Sequence, residues 1–370
     1  MIYFDNAAST APLGTLHNYY NPSSPHCLGI QSERALRSAR NQISGIVSSL
    51  NRHSEPPQHL SATDGDIIFT SGGTESNNLA IMGHTLAHIR QPIVIYCSTH
   101  EHPSLVAPTR FAIARHWARE APTLESLTGK SLLVISHVNH ETGDINDIET
   151  IASTLKAANP EASVLVDGAQ SFCKEMLSLN SIDFYSFSGH KCHGPLGVGG
   201  LWVRKGAKLI PLLHGGGQEN ELRSGTENVP GIVQMAEAAH SLAQGFEANH
   251  SHATRIKGII MSIQEILPDV LINALTANTS PYILNMSFLG VKGEILVHAL
   301  SEKDLCVSMG AACRSRKSGP SALELMGFAS AVAESAIRFS FSYLNTLEEA
   351  YKAKELVIDQ VRRFRKMKGF

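Results

Sequence analysis

No stretch of the 370-residue chain reaches the roughly 18 consecutive apolar residues of a membrane span. A helical membrane protein is therefore excluded. None of the six cysteines sits in a CxxC pair; Cys27, Cys97, Cys173, Cys192, Cys306 and Cys313 are scattered over a long chain. That spacing argues against a disulfide framework and against a zinc site. Charge is sparse, at 17% of residues with a net charge of −2, which supplies no electrostatic footprint for a nucleic acid or an anionic membrane. The opening MIYFDNAAST has no basic n-region and no apolar h-region, so no signal peptide is expected and the protein is read as cytoplasmic. Hydrophobic residues make up 43%, enough for a large core and two domains.

What the chain does have is a rhythm of short apolar runs and helical patterns. Strands are predicted at Asp66–Thr70, Ile93–Cys97, Ser131–Val138, Ser163–Val166, Phe184–Phe187 and Leu201–Arg204. Helical spacing covers about Ile30–Leu50 and Ile148–Ala158. Such alternation predicts an α/β fold with a mostly parallel sheet under covering helices. A glycine-rich polar loop, Leu213–Asn228, follows, then helices at about Val229–Glu247 and Ala253–Leu267. Loops of that length in compact domains are usually functional or interfacial. The remainder reads as a smaller α+β domain. Its strands are Ile283–Phe288, Leu305–Ser308 and Ile337–Phe341; its helices are Gly293–Leu300, Ala322–Met326, Ala331–Ala336 and Leu347–Lys366. The expected division is residues 14–255 for the large domain, with 1–13 and 256–370 forming the small one.

Polar groups gather where the predicted strands end. Ser71–Thr74 (SGGT) follows one strand and opens a helix, which aims backbone N–H groups and the positive end of the helix dipole at one spot. Read alone, the same four residues are a turn and an N-cap. His102 lies after the next strand; with His100 it makes an H-x-H pair that lacks a third ligand, so no metal is expected. Asp167 ends another strand, three residues before Gln170. The run Phe184–Ser188 ends at a glycine turn carrying His190, Lys191, Cys192 and His193. A solvated loop lysine is the plain reading of Lys191. Taken together, the groups are the parts a pyridoxal phosphate enzyme requires: a lysine for the Schiff base, a carboxylate for the pyridinium nitrogen, an anion cup for the phosphate and an imidazole over the ring. Cys313 stands apart, in a stretch of small residues followed by Arg314, Arg316 and Lys317. Positive neighbours lower a thiol pKa from about 8.5 and favour the thiolate.

Nine segments in order carry a resemblance: FDNAAST, FTSGGTESNN, THEH, HVNHETG, VDGAQS, SFSGHKCHGPLGVGGLWVR, HGGGQENELRSGTEN, MGAACRS and IRFSF. With them the chain resembles, nearly end to end, the cysteine desulfurases of the NifS-like group, within the class V aminotransferase branch of fold-type I pyridoxal phosphate enzymes. The resemblance implies a seven-stranded, mostly parallel sheet in the large domain and pyridoxal 5'-phosphate as cofactor. It implies that Lys191 carries the cofactor and moves the substrate α-proton, that Asp167 pairs with the pyridinium, that Gln170 contacts the phenolic oxygen and that His102 stacks on the ring. Gly73, Thr74, Ser188 and His190 would hold the phosphate, with Thr226 completing the cup from the partner subunit of a homodimer. His140 would contact the ring. Arg338 and Asn139 would bind the substrate. Cys313 would be the nucleophile that takes sulfur from L-cysteine as a persulfide, leaving L-alanine. A sulfur-acceptor protein, either an iron–sulfur scaffold or a tRNA- or DNA-thiolation enzyme, would receive it; no direct contact with nucleic acid or membrane is implied.

Two departures stand out. His140 occupies a position that is usually a second asparagine in the family, and the basic run after Cys313 replaces small hydroxyl residues, which favours an acidic acceptor surface. A selenocysteine lyase or another class V enzyme is the alternative activity. A non-catalytic sulfur-transfer scaffold is the alternative of another class, disfavoured by the intact Lys191, Asp167 and His102.

Overall fold

The computed structural model describes residues 1–14, 17–49, 64–309 and 320–367; Cys313, Arg314, Arg316 and Lys317 lie outside the described residues. The first half of the chain forms β1 (Ile2–Tyr3), α1 (Cys27–Ser49), β2 (Gly65–Thr70), α2 (Gly73–Ala87), β3 (Ile93–Cys97), α3 (Pro103–Ala114), β4 (Ala118–Glu120), β5 (Ser131–Ser136), α4 (Ile148–Ala158) and β6 (Ala162–Asp167). After these come β7 (Phe184–Ser188), β8 (Gly199–Arg204), α5 (Val229–Gln244), α6 (Phe246–Met261), β9 (Val270–Ile272), β10 (Ile283–Phe288) and α7 (Gly293–Ser301). The chain closes with β11 (Leu305–Cys306), α8 (Ala322–Leu325), α9 (Ser330–Glu334), β12 (Ala336–Ser340) and α10 (Leu347–Met367). No described helix is long and apolar enough to cross a membrane.

Two compact units divide the chain. One comprises residues 11–137 and 146–244. It holds a seven-stranded sheet in the order β2-β8-β7-β6-β5-β3-β4. Strand β8 runs antiparallel to both neighbours, and the other pairs are parallel. Parallel strands are covered on both faces, so they read as continuous apolar runs; β7 is buried at all five positions. One core cluster of this unit includes Ile68, Leu79, Ile93, Leu132, Leu165 and Phe184. Strand β4 is absent from the sequence expectation. It has three residues, only Ala118 buried, and so presents no period to detect. Strand β5 stops at Ser136, two residues before the predicted end.

The other unit comprises residues 1–10, 138–145 and 245–370. It holds an antiparallel sheet β12-β10-β9 and a short parallel pair β1-β11. Phe4, Ile256, Met286, Leu296, Phe339 and Val357 are among the side chains of its core. Helix α10 buries Ala350, Ala353, Val357 and Val361, a spacing of three and four residues that keeps one face inward. Residues 138–145, which the sequence reading assigned to the large domain, belong here. Val138 bridges Ile145, and the Asp144 carboxylate accepts the backbone N–H groups of Leu275 and Thr276. The helices expected at Val229–Glu247 and Ala253–Leu267 fall at Val229–Gln244 and Phe246–Met261 instead, because Gly245 interrupts the run. The last strand begins at Ala336, which the sequence reading placed at a helix end.

Candidate active site

In the unit of residues 11–137 and 146–244, chemistry-bearing groups line the carboxyl ends of β3, β5, β6 and β7, where open α/β sheets bind ligands. Strand β2 ends at Thr70, and the turn into α2 passes through Gly72 at φ +151°, a conformation that favours glycine. Strand β8 presses on this turn: a Cβ added to Gly199 would lie 2.6 Å from the Gly72 Cα. No side chain caps α2, so among the described residues the N–H groups of Gly73 and Thr74 are left unclaimed. The Ser71 N–H is taken by the Glu75 carboxylate at 2.8 Å, and Glu75 is held by Arg223 Nε at 2.8 Å. Ser188 forms the far wall; a Cβ on Gly73 would sit 3.6 Å from the Ser188 Cβ and 3.9 Å from the Ala169 Cβ. Ser188 Oγ lies 3.0 Å from His190 Nδ1. Burial, with Lys191 and Lys174 adding to it, lowers the His190 pKa to about 4, so its ring is neutral at pH 7. Open N–H groups, a helix dipole, a hydroxyl and a neutral imidazole around a glycine turn fit a phosphate group.

Lys191 is half-buried and closes the turn Gly189–Lys191 directly after β7. Gly189 admits no side chain, since a Cβ there would meet Val198 at 2.8 Å. Cys192 beside it is 1% exposed, and its thiol donates to the Gly189 carbonyl at 3.3 Å. Burial pushes that thiol up to about 11, so Cys192 carries no thiolate at neutral pH.

A single asparagine organises the opposite wall. Asn77 lies on α2, one turn past Gly73. Its Nδ2 donates to Asp167 Oδ2 at 2.8 Å and to Ser104 Oγ at 2.9 Å, while its Oδ1 accepts from Ser186 Oγ at 2.6 Å. The other Asp167 oxygen accepts from the Ala169 N–H at 2.8 Å. Ser104 Oγ lies 2.7 Å from His102 Nδ1, which also accepts the Ser104 N–H at 3.2 Å. An N–H only donates, so Nδ1 is the acceptor and the proton of a neutral His102 ring sits on Nε2. Gln170 is buried nearby in sequence, and Thr226 is exposed. A cleft of about 680 Å³ opens beside the cup, lined by Thr74, Asn78, His102, Ser104 and Phe111.

Thr226 belongs to a loop that is fastened to this wall. The Glu219 carboxylate is buried; it takes Arg40 on both oxygens, at 2.7 and 2.8 Å, and accepts the Phe69 N–H at 2.9 Å. Glu219, Asn220 and Glu221 all have positive φ.

In the other unit, Arg338 on β12 is buried. Its Nη1 donates to the His140 carbonyl at 2.7 Å and its Nη2 to Asp5 Oδ1 at 3.2 Å. His140 Nε2 lies 3.5 Å from Glu141 Oε1. Asn139 turns its Oδ1 back onto the N–H groups of Glu141 and Thr142, so this side chain shapes the loop.

Gly73, Thr74, His102, Asp167, Gln170, Ser188, His190 and Lys191 thus share one unit; Asn139, His140 and Arg338 share the other. Sequence reasoning missed Asn77, Ser104 and Ser186. The available signal was the spacing of Asn77 from Gly73, which puts both on one helix face. Among the described residues no group of His, Cys, Asp and Glu is arranged to hold a metal ion.

A lysine turn, a doubly held carboxylate and an uncapped helix at the ends of a mostly parallel seven-stranded sheet define the class: a fold-type I pyridoxal phosphate enzyme. The family signature described as "Aminotransferase class-V" matches residues 2–352, and the chain belongs to that family. A "NifS/IcsS protein homolog" of Lactobacillus delbrueckii subsp. bulgaricus is 36% identical, over 95% of this chain and 94% of the relative. A "Cysteine desulfurase" of Nostoc sp. is 33% identical over 100% and 95%. The solved structure of a "NIFS-LIKE PROTEIN" superposes with a TM-score of 0.87 at 28% identity, covering 98% of this chain and 99% of that one.

Proposed function

We propose that this chain is a pyridoxal 5'-phosphate-dependent cysteine desulfurase that converts L-cysteine to L-alanine and passes the sulfur to an acceptor protein. The observation that carries the reading is Asp167, fixed by two donors at the end of β6, one strand from the Lys191 turn. Full-length relatives named cysteine desulfurase support the substrate.

The residues divide the work by their chemistry. Gly73, Thr74, Ser188 and His190 would hold the cofactor phosphate, with the partner subunit's Thr226 completing the cup in a homodimer. Asp167 would hold the proton of the ring nitrogen, His102 would cover the ring face, and Gln170 and His140 would contact its rim. Bound there, the cofactor supplies an electron sink to the substrate α-carbon. Lys191 Nζ holds the cofactor at rest and moves the substrate α-proton. Arg338, with Asn139 shaping its loop, receives the substrate carboxylate as a charge-assisted pair. The Cys313 thiolate forms an S–S bond to the substrate sulfur as the C–S bond breaks. That electron pair stays with the three-carbon fragment, which is protonated to alanine. The persulfide then passes to an iron–sulfur scaffold or a thiolation enzyme in the cytoplasm. The basic run after Cys313 suits an acidic acceptor surface.

Mass spectrometry after exposure to L-cysteine tests the reading. One added sulfur on the peptide carrying Cys313, with alanine released, is the expected result. Added sulfur only on another cysteine would overturn the nucleophile, and no alanine would overturn the reaction.

A further inference from the structure

Glu101, the residue before His102, is a buried carboxyl that the reading above leaves without a task. It is 7% exposed. Its Oε1 accepts the Ser136 N–H at 3.1 Å, and its Oε2 has no hydrogen-bond partner among the described residues. Ser136 is the register partner of Asp167, and the next residue, His137, donates its N–H to the Asp167 carbonyl at 3.0 Å. Two carboxyls therefore flank the same strand ends. Their donors are unequal. Asp167 has one 2.8 Å donor on each oxygen, whereas Glu101 has one donor and a bare oxygen.

Two neighbouring carboxyls out of water do not both ionise readily, and the one with more donors keeps the charge. We propose that Glu101 is a positioning residue for Asp167: with one donor and a bare oxygen beside the doubly held Asp167, it is the carboxyl of the two that gives up its proton last, as pH rises through neutrality. The inference rests on the reading that Asp167 receives the ring nitrogen. The groups facing Glu101 agree with it. Burial raises its pKa, Ser136 on β5 favours its charge through both side chain and backbone N–H, and Asp167 on β6 repels that charge. Burial dominates and pushes Glu101 up to about 7. Cys97 at the end of β3 gives no compensation, since burial and Glu101 push its thiol up to about 12. Above neutrality a second negative charge appears behind Asp167, one residue from His102.

The test is a ¹³C carboxyl titration of full-length protein labelled at glutamate Cδ, as purified and after cofactor removal. The cofactor-free protein is expected to show one glutamate with a midpoint near 7, lost in Glu101→Gln. The midpoint falls in Asp167→Asn, which removes the repelling charge. It also falls when the cofactor is bound, because the positive ring nitrogen lies by Asp167. The ratio of cofactor Kd for Glu101→Gln to that for the wild type rises several-fold from about pH 6 to pH 8.5, because only the wild type gains the extra charge. A merely structural glutamate would give a ratio independent of pH. The proposal is overturned if every glutamate titrates below about pH 5.5, if the step survives in Glu101→Gln, or if Asp167→Asn leaves it unmoved. The titration of wild-type protein stands even if a variant fails to fold. Absence of cofactor uptake with the glutamate step intact would sink the functional reading instead.

Discussion

Replacing Asn77 by alanine should disconnect the candidate site at its centre. The substitution removes three hydrogen bonds, to Asp167, Ser104 and Ser186. The bond to the Asp167 carboxylate is charge-assisted and contributes about 2 kcal/mol; the two neutral ones contribute about 1 kcal/mol each. The variant is therefore expected to lose about 4 kcal/mol of folding stability, a large share of the 5–15 kcal/mol typical of a domain. Half of that loss concerns Asp167 directly. Without Asn77, the Ala169 N–H is the one donor left to the carboxylate among the described residues, and ordering it falls to the cofactor. About 2 kcal/mol withdrawn from binding is roughly a 30-fold higher Kd. Titration of the cofactor-free variant with pyridoxal 5'-phosphate, followed by visible absorbance, measures this. Asn77→Asp should weaken binding further, because it keeps the size but puts a like charge beside Asp167. An unchanged Kd in Asn77→Ala, in a protein that melts cooperatively, would refute the claim that this side chain fixes Asp167.

Other outcomes follow from the same geometry. Glu219→Ala removes the paired hold on Arg40, which keeps the Ile67 carbonyl, and frees the Phe69 N–H, so it should cost about 2–3 kcal/mol in urea unfolding; a loss within error of zero would refute the loop clamp. Arg338→Lys keeps the charge but not the two-pronged hold on His140 and Asp5, so the KM for cysteine should rise while cofactor affinity stays unchanged. In Lys191→Ala the yellow colour of the bound cofactor should vanish. Acid should destabilise the fold. Burial lowers His84 and His137 from about 6.5 to about 4, so the unfolded state binds more protons between those values. Stability then falls as pH drops from about 6.5 to about 4, by on the order of 3 kcal/mol for each of the two. Glu101, with a raised pKa, acts oppositely between about 4.5 and 7, and two histidines outweigh it. A melting temperature that is flat from pH 6.5 to 4 would contradict these burials.

The placement of Asp167 and Lys191 was legible because Asp167 ends the apolar strand VLVD and Lys191 stands on the turn directly after FYSFS, and polar residues at such ends face the ligand crevice. Asn77 was not legible. Its role depends on partners from β6, β7 and α3, and no local pattern announces a convergence of three elements. Residues 138–145 were misread for a related reason: their place depends on Asp144 capturing the backbone at Leu275 and Thr276, some 130 residues later. Cys192 stands beside Lys191 in the sequence, where a nucleophile would need an accessible thiol. Its burial under the turn disqualifies it, and only packing reveals burial.

The antiparallel strand β8 carries a consequence for the order of events during synthesis. Strand β2, which leads into the glycine turn, sits at the sheet edge, and among the described residues its one strand partner is β8. Thr70 pairs with Gly199, and the turn is pressed into shape by that same glycine. As the chain emerges, the anion cup has no sheet to rest on until more than a hundred further residues have been made. Pairing over so long a separation is slow. Shaping of the glycine turn is thus placed after the large sheet has closed, and a nascent chain truncated before Gly199 has Lys191 and Asp167 but lacks the strand that sets that turn.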